Sequence, residues 1–309
     1  MLNKTIIVVS GPTAVGKTAV AIQLARHFNT SIIGADSRQC FRELNIGVAK
    51  PSASDLAAVP HYFINSHRIT EKVDAAVYEQ YALKKLQEIF YSNDIAIVAG
   101  GTGLYIKALC EGMDKMPAIP EDIRQQVRIG FYEFGIEWLQ QQVQEFDPLF
   151  FRTGEVQNPH RLMRALEFVK ATGESIKTYQ KGRPEQRPFN IVKIGLELPK
   201  EALYERINTR VDLMLQQGLL EEVKSLLAYQ HLTALQTVGY RELFDHLSGL
   251  SSLDAAIEFI KRNTRQYAKR QMTWFKKDTA ITWFNAKDES VILSYAITKT
   301  IKTSNHFTI

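Results

Sequence analysis

Eight residues near the start of the chain, Gly11-Pro12-Thr13-Ala14-Val15-Gly16-Lys17-Thr18, have types and spacing suited to holding an anion. They fit the phosphate-loop pattern G-x-x-x-x-G-K-[ST]. Glycines let the backbone wrap an anion closely, and successive amides at a helix N-terminus favour negative charge. Lys17 brings a point charge to phosphate oxygens, and the Thr18 hydroxyl can ligate Mg²⁺. An apolar run, Thr5–Val9, precedes the loop, and helix-spaced apolar residues, Thr18–His27, come after it. That context sets the segment apart from an ordinary glycine turn. It implies a polyphosphate ligand without saying which.

A kinase or nucleotidase is the usual owner of such a loop, and it often carries an Asp at the end of a later apolar strand to help hold Mg²⁺. Here Ile95–Ala99 runs into Gly100-Gly-Thr-Gly103 with no acid. The acid that ends a core strand near the loop is Asp36, after Ser31–Ala35. Strand C-termini line the ligand crevice of an open α/β sheet, which sets Asp36 beside the loop. Its plainer role is to cap a turn, since Asp-Ser is good capping chemistry. The cluster Gly100–Gly103 is either a tight turn or a second lobe offering backbone and Thr102 contacts to a substrate.

Positive charge gathers in two places. Residues 259–277 hold Lys261, Arg262, Arg265, Lys269, Arg270, Lys276 and Lys277 with no Asp or Glu. Lys261, Arg265 and Lys269 share one helix face, and Tyr267, Trp274 and Phe275 are interleaved. Such a stretch forgoes the usual i,i+4 pairing, which suits a polyanion partner better than a solvated face. A second group is His160, Arg161, Arg164 and Lys170. Arg206 and Arg210 recur one turn apart, able to reach a phosphate or to pair with Glu205 and Asp212.

The elements that must position these residues alternate. Strand-like runs at Thr5–Val9, Ser31–Ala35, His61–Asn65 and Ile95–Ala99, with an amphipathic helix over Val73–Tyr91, argue for a parallel sheet of βαβ units. Residues 117–187 show helical periodicity and no convincing strand; strand character returns at Ile191–Leu198 and Ala280–Phe284. The expected fold is therefore α/β, a P-loop NTPase-like parallel core over 1–116 and 189–309 interrupted by an all-helical insertion over 117–188. The end, Thr303–Ile309, reads as frayed. With 309 residues, 45% hydrophobic and 23% charged, the chain can bury a sizeable core, and disorder, collagen and coiled coil are excluded. The net charge of +5 is mild. Cys40 and Cys110 lack metal-ligand spacing and make no disulfide framework, and no apolar run reaches membrane length. A soluble, cytoplasmic protein is expected.

Taken together, the motifs resemble those of the bacterial tRNA dimethylallyltransferases. The resemblance rests on GPTAVGKT at 11–18, ADSRQ at 35–39, IGVAKP at 46–51, GGTGLYIKAL at 100–109, NPHRLMRALE at 158–167, VGYRE at 238–242 and KRQMTWF at 269–275, nearly the whole chain in family order. It implies transfer of a dimethylallyl group from dimethylallyl diphosphate to N6 of the adenosine 3′ of the anticodon, in tRNAs reading codons that begin with U. It implies that Gly11–Thr18 binds the donor diphosphate with Mg²⁺ at Thr18, and that Asp36, Thr13 and Arg210 are catalytic. It implies tRNA contacts from Asp36, Ser37, Arg38, Gln39, Thr102 and Arg124. Further contacts fall on His160, Arg161, Leu162, Met163 and Arg164, on Thr237, Val238, Gly239, Tyr240 and Arg241, and on Lys261, Arg265, Lys269 and Arg270. A monomer acting on a tRNA anticodon stem-loop is expected. Phe41 stands where the family usually has Tyr, and Val48 where Thr is common; no zinc finger follows the core. The alternatives are a P-loop small-molecule kinase or nucleotidase, a prenyltransferase of free adenine nucleotides, and a non-enzymatic RNA-binding module.

Overall fold

The computed structural model describes residues 4–180, 182 and 184–304. The chain divides into two compact units, one made of Met1–Glu111 with Gln186–Ile309, the other of Gly112–Glu185. The first begins with β1 (Thr5–Ser10), α1 (Lys17–His27), β2 (Ile32–Gly34), α2 (Ala53–Ala58), β3 (His61–Tyr62), α3 (Ala75–Ser92), β4 (Ile95–Gly100) and α4 (Gly103–Glu111). The second unit holds helices alone among its described residues: α5 (Glu121–Phe146), α6 (Pro148–Thr153), α7 (Pro159–Thr172) and α8 (Ile176–Tyr179). The first unit resumes with β5 (Asn190–Glu197), α9 (Lys200–Gln216), α10 (Leu219–Ser225), α11 (Tyr240–Leu247), α12 (Leu253–Phe275), β6 (Ile281–Asn285) and α13 (Glu289–Ser304). Of the stretch expected to fray, Thr303 and Ser304 close α13, and 305–309 lie outside the described residues.

The six strands form one sheet in the order β3-β2-β4-β1-β5-β6, every pair parallel. β1 is central and buried along its whole length, so its side chains feed two cores. Ile6 and Val8 join one with Tyr78, Leu86 and Tyr240, while Ile7 and Val9 join the other with Leu24, Ile194 and Ile292. This is why Thr5–Val9 reads as continuously apolar instead of alternating. The helical unit has its own core, with Leu139, Leu162, Leu166 and Phe168 at its centre.

Two elements differ from the sequence reading. β3 stops at Tyr62, because Phe63 and Asn65 take left-handed backbone, φ 61° and 53°, which no strand continues. α2 was unexpected, yet its start carries a capping box: the Ser52 side chain accepts from Asp55 N–H, and the Asp55 carboxylate accepts from Ser52 N–H.

Parallel topology gathers the segments after the strand C-termini at one edge of the sheet. The phosphate loop comes after β1, Asp36 after β2, and Gly101 after β4. Gly11 has φ +147°, and a Cβ there would lie 2.6 Å from the Leu196 carbonyl oxygen of β5. Only glycine lets the loop leave β1 at that angle and that distance.

Candidate active site

Thr13, Ala14, Gly16, Lys17 and Thr18 of the loop and Asp36 line one cavity of about 510 Å³ together with Arg206 and Arg210 of α9 and Tyr267 and Gln271 of α12. A second cavity, of about 420 Å³, is lined by Ser37, Arg38, Thr237, Val238, Gly239, Arg241 and Arg270. The two share Thr13, Asp36, Val48, Arg210 and Tyr267. A group entering from either side therefore meets the same few residues at the junction.

On the loop side, Lys17 Nζ donates to the carbonyls of Gly11 at 3.1 Å and Pro12 at 2.8 Å. Burial pushes its pKa down to about 8; Asp36 pulls it back up and Arg210 lowers it further. A seated diphosphate would restore the charged form. Arg206 and Arg210 both reach this loop. Arg206 Nη1 lies 3.5 Å from the Val15 carbonyl oxygen, and Arg210 Nη1 lies 3.5 Å from Thr13 Oγ1. Burial also lowers the Arg210 pKa, opposed by Asp36 and reinforced by Arg206, yet guanidinium stays protonated. The sequence left open which arginine serves the loop. The structure puts Arg206 at the Gly16 end and Arg210 at the Thr13 end, nearer Asp36.

Asp36 does both things the sequence allowed. Its Oδ1 accepts from Arg38 N–H at 2.9 Å and Gln39 N–H at 3.3 Å, capping the turn after β2. Its Oδ2 has no hydrogen-bond donor among the described residues, and Asp36 lines both cavities. Thr102 Oγ1 accepts from Ser37 N–H at 3.0 Å, bracing the same turn from the β4 side.

Several side chains expected to face RNA are committed elsewhere. Leu162 and Tyr240 are both 0% exposed, one in the helical core and the other with its hydroxyl donating to Glu222 Oε1 at 2.6 Å. Neither side chain is exposed, and each stretch meets the surface through its neighbours His160, Arg161 and Arg241. Gln39 spends its amide on the carbonyls of Val48 and Ala49, at 3.1 and 2.9 Å. Lys261 is not free of acids: Asp212 of α9 lies 2.8 Å away and Glu258 3.3 Å. Arg265 donates to Asn208 at 2.6 Å. Glu258 lies one turn earlier on α12, just outside the acid-free stretch 259–277, and α9 supplies Asp212 and Asn208 from outside the helix. Lys269 and Arg270 remain exposed, as do Arg241, His160 and Arg161, the last paired with Glu155 at 2.7 Å. Arg124, Met163 and Arg164 are half-buried in the helical unit, and Arg124 Nε has no hydrogen-bond partner.

Two residues that sequence reasoning missed shape the site. Glu222 of α10 accepts from the successive amides of Asn45, Ile46 and Gly47 at 2.8–3.1 Å, pinning the loop that carries Val48 into both cavities. Gln271 accepts from Thr13 N–H at 2.8 Å and donates to the Gly101 carbonyl at 2.9 Å, joining α12 to both glycine loops. Phe41 is buried in the core, 3% exposed, so the hydroxyl it lacks does not face either cavity.

The exposed pair on α12 gives a direct test. Replacing Lys269 and Arg270 together with Ala should weaken RNA affinity and flatten its salt dependence by roughly 1–2 units of log–log slope. Lys261→Ala should leave the slope nearly unchanged, since that ammonium already has protein partners. Binding titrations across salt concentrations separate the exposed pair from the paired Lys261. An unchanged slope in the double variant removes α12 from the RNA surface.

Comparison with known proteins places these features in a wider group. A family model described as IPP transferase matches residues 39–278. A tRNA dimethylallyltransferase of Cytophaga hutchinsonii is 43% identical over 294 residues, 95% of this chain and 97% of that one. The tRNA dimethylallyltransferase 1 of Bacteroides thetaiotaomicron is 44% identical, covering 94% of each chain. Among solved structures, the full-length tRNA isopentenylpyrophosphate transferase of Bacillus halodurans superposes with a TM-score of 0.73 at 33% identity, over 97% of this chain and 98% of that one. A eukaryotic dimethylallyltransferase acting on tRNA gives 0.77 at 26% identity, over 98% of this chain and 79% of that one.

Proposed function

The chain belongs to the IPP transferase family, and from that premise we propose that it moves a dimethylallyl group from dimethylallyl diphosphate to N6 of an adenosine in tRNA. The acceptor is the adenosine 3′ of the anticodon in tRNAs reading codons that begin with U. The observation that carries this reading is the pair of cavities meeting at Thr13, Asp36 and Arg210. One has the anion-binding loop and suits the donor. The other is bordered by Arg38, Arg241 and Arg270 and suits a base lifted from a loop of RNA. Anticodon-loop bases are single-stranded and can be unstacked for a few kcal/mol.

The arrangement suits one course of reaction. The allylic C–O bond to diphosphate breaks, and the N6–C bond forms. Charge develops on the departing diphosphate, where Lys17, Arg206, Arg210 and the loop amides stabilise it. Adenine N6 is a weak nucleophile because its lone pair is delocalised into the ring; as the N6–C bond forms, positive charge develops on N6 and Asp36 Oδ2 accepts its proton. Among the described residues no group of three or more His, Cys, Asp or Glu could hold a metal unaided. Mg²⁺ needs only one or two protein oxygens when phosphates complete its shell, and the exposed Thr18 hydroxyl at the loop fits that use. When bound there, Mg²⁺ supplies neutralising charge to the diphosphate.

The helical unit, by this reading, adds RNA contacts through His160, Arg161, Met163, Arg164 and Arg124. Every group assigned to the chemistry comes from one chain, so a monomer suffices, working in the cytoplasm with its tRNA. Among the described residues no helix is long and apolar enough to cross a membrane.

The test uses labelled dimethylallyl diphosphate offered separately with tRNA, with AMP and with no acceptor. Label should enter tRNA alone. Label in AMP favours a free-nucleotide prenyltransferase, and robust Mg²⁺-dependent ATP hydrolysis favours a kinase or nucleotidase.

A further inference from the structure

Gln271 is a buried polar residue, 6% exposed, on a helix otherwise read for its positive charge. Both ends of its amide are engaged: Oε1 takes the Thr13 N–H at 2.8 Å and Nε2 gives to the Gly101 carbonyl at 2.9 Å. It has no room to swing away toward β4, since a Cβ at Gly101 would lie 2.3 Å from Nε2. The loop amides of Ala14, Gly16, Lys17 and Thr18 have no protein acceptor among the described residues. The bare loop amides thus begin at Ala14, the Thr13 N–H is already satisfied, and the positive charge at that end comes from Arg210.

From this arrangement we propose that Gln271 is a specificity-determining residue, which closes the Thr13 end of the loop to a further phosphate and leaves it fit for an apolar chain. The proposal rests on the reading of the loop as a diphosphate-donor site. A nucleoside triphosphate or any longer polyphosphate that extends past two phosphates toward Thr13 finds an amide that cannot donate to it. It also meets the Asp36 carboxylate, which shares that wall of both cavities. An allylic group in the same place needs no hydrogen bond. A bare Thr13 N–H facing that group would be a buried donor without a partner, which is costly, and Gln271 removes that cost. The residue touches no reacting atom in this account; it acts through the Thr13 amide.

Calorimetric binding of inorganic pyrophosphate and inorganic tripolyphosphate, in one magnesium buffer, reads this selectivity without any turnover. The wild-type protein should prefer pyrophosphate by at least about tenfold, the size of one charge-assisted hydrogen bond. Gln271→Ala frees the Thr13 amide and should shrink that preference to about threefold or less, chiefly by tightening tripolyphosphate. Gln271→Glu keeps an acceptor for Thr13 N–H and should keep the preference, although its charge weakens both anions. Gly101→Ala displaces the same amide from the other side and should lower the preference as well, with Gln271 in place. Equal wild-type affinity for the two anions overturns the proposal, and so does an unchanged preference in Gln271→Ala and Gly101→Ala. Failure of the wild type to bind pyrophosphate at all overturns the diphosphate reading on which it rests.

Discussion

Asp36→Asn should slow prenyl transfer by roughly 10²–10⁴, the range for loss of a positioned general base. Asparagine is the informative replacement because Asp36 has two tasks. Its Oδ1 accepts from the amides of Arg38 and Gln39, and an amide oxygen can do the same. Its Oδ2 is the proposed proton acceptor, and an amide nitrogen cannot take that part. RNA affinity and thermal stability should therefore stay near wild type while single-turnover transfer collapses. A near-normal rate would reduce Asp36 to its capping role. Asp36→Ala should be slow as well, with some loss of stability from the two unpaired amides.

Lys17→Met should lower kcat/KM for the donor by about 10²–10³, the cost of removing one preorganised donor to a developing anion. RNA binding should survive. The same change should raise the melting temperature at neutral pH, because burial disfavours the Lys17 charge in the folded protein. The sign comes from its pKa, about 8 when folded against an ordinary 10.5. The folded state then binds the proton less tightly than the unfolded chain. The penalty is complete below about 8 and fades as pH rises toward 10.5. A stability gain with activity lost marks Lys17 as held for function. Equal activity of the variant would remove the loop from the donor site.

Much of this was legible from the chain because the decisive signals are local. The phosphate loop is a contiguous pattern with its strand and helix adjacent, and Asp36 closes a short β-branched run. Parallel topology then brings them to one edge without further information. The features that escaped are those whose partners lie far off in sequence. Gln271 bonds to Thr13 and Gly101, and Glu222 holds Asn45–Gly47; Glu222 lies in none of the quoted motifs, and Gln271, though inside KRQMTWF, is overshadowed there by its basic neighbours. The resemblance sets Tyr240 among the tRNA-facing residues Thr237–Arg241, yet its ring fills the core. Lys261 looked unpaired because Asp212 sits on another helix. The capping box at Ser52–Asp55 was a readable signal for α2 that the apolar periodicity of so short a helix, with no buried residue, did not reinforce.

The central claim is that one junction couples a diphosphate leaving group to the N6 of a tRNA base. The most direct measurement incubates the protein with Mg²⁺, dimethylallyl diphosphate and unmodified tRNA that reads a U-initial codon, and then maps the modified nucleoside by sequencing mass spectrometry. The account predicts one N6-dimethylallyladenosine, immediately 3′ of the anticodon, with one diphosphate released per group transferred and none without RNA. Transfer to another position or to free nucleotide, or diphosphate release without RNA modification, would contradict it.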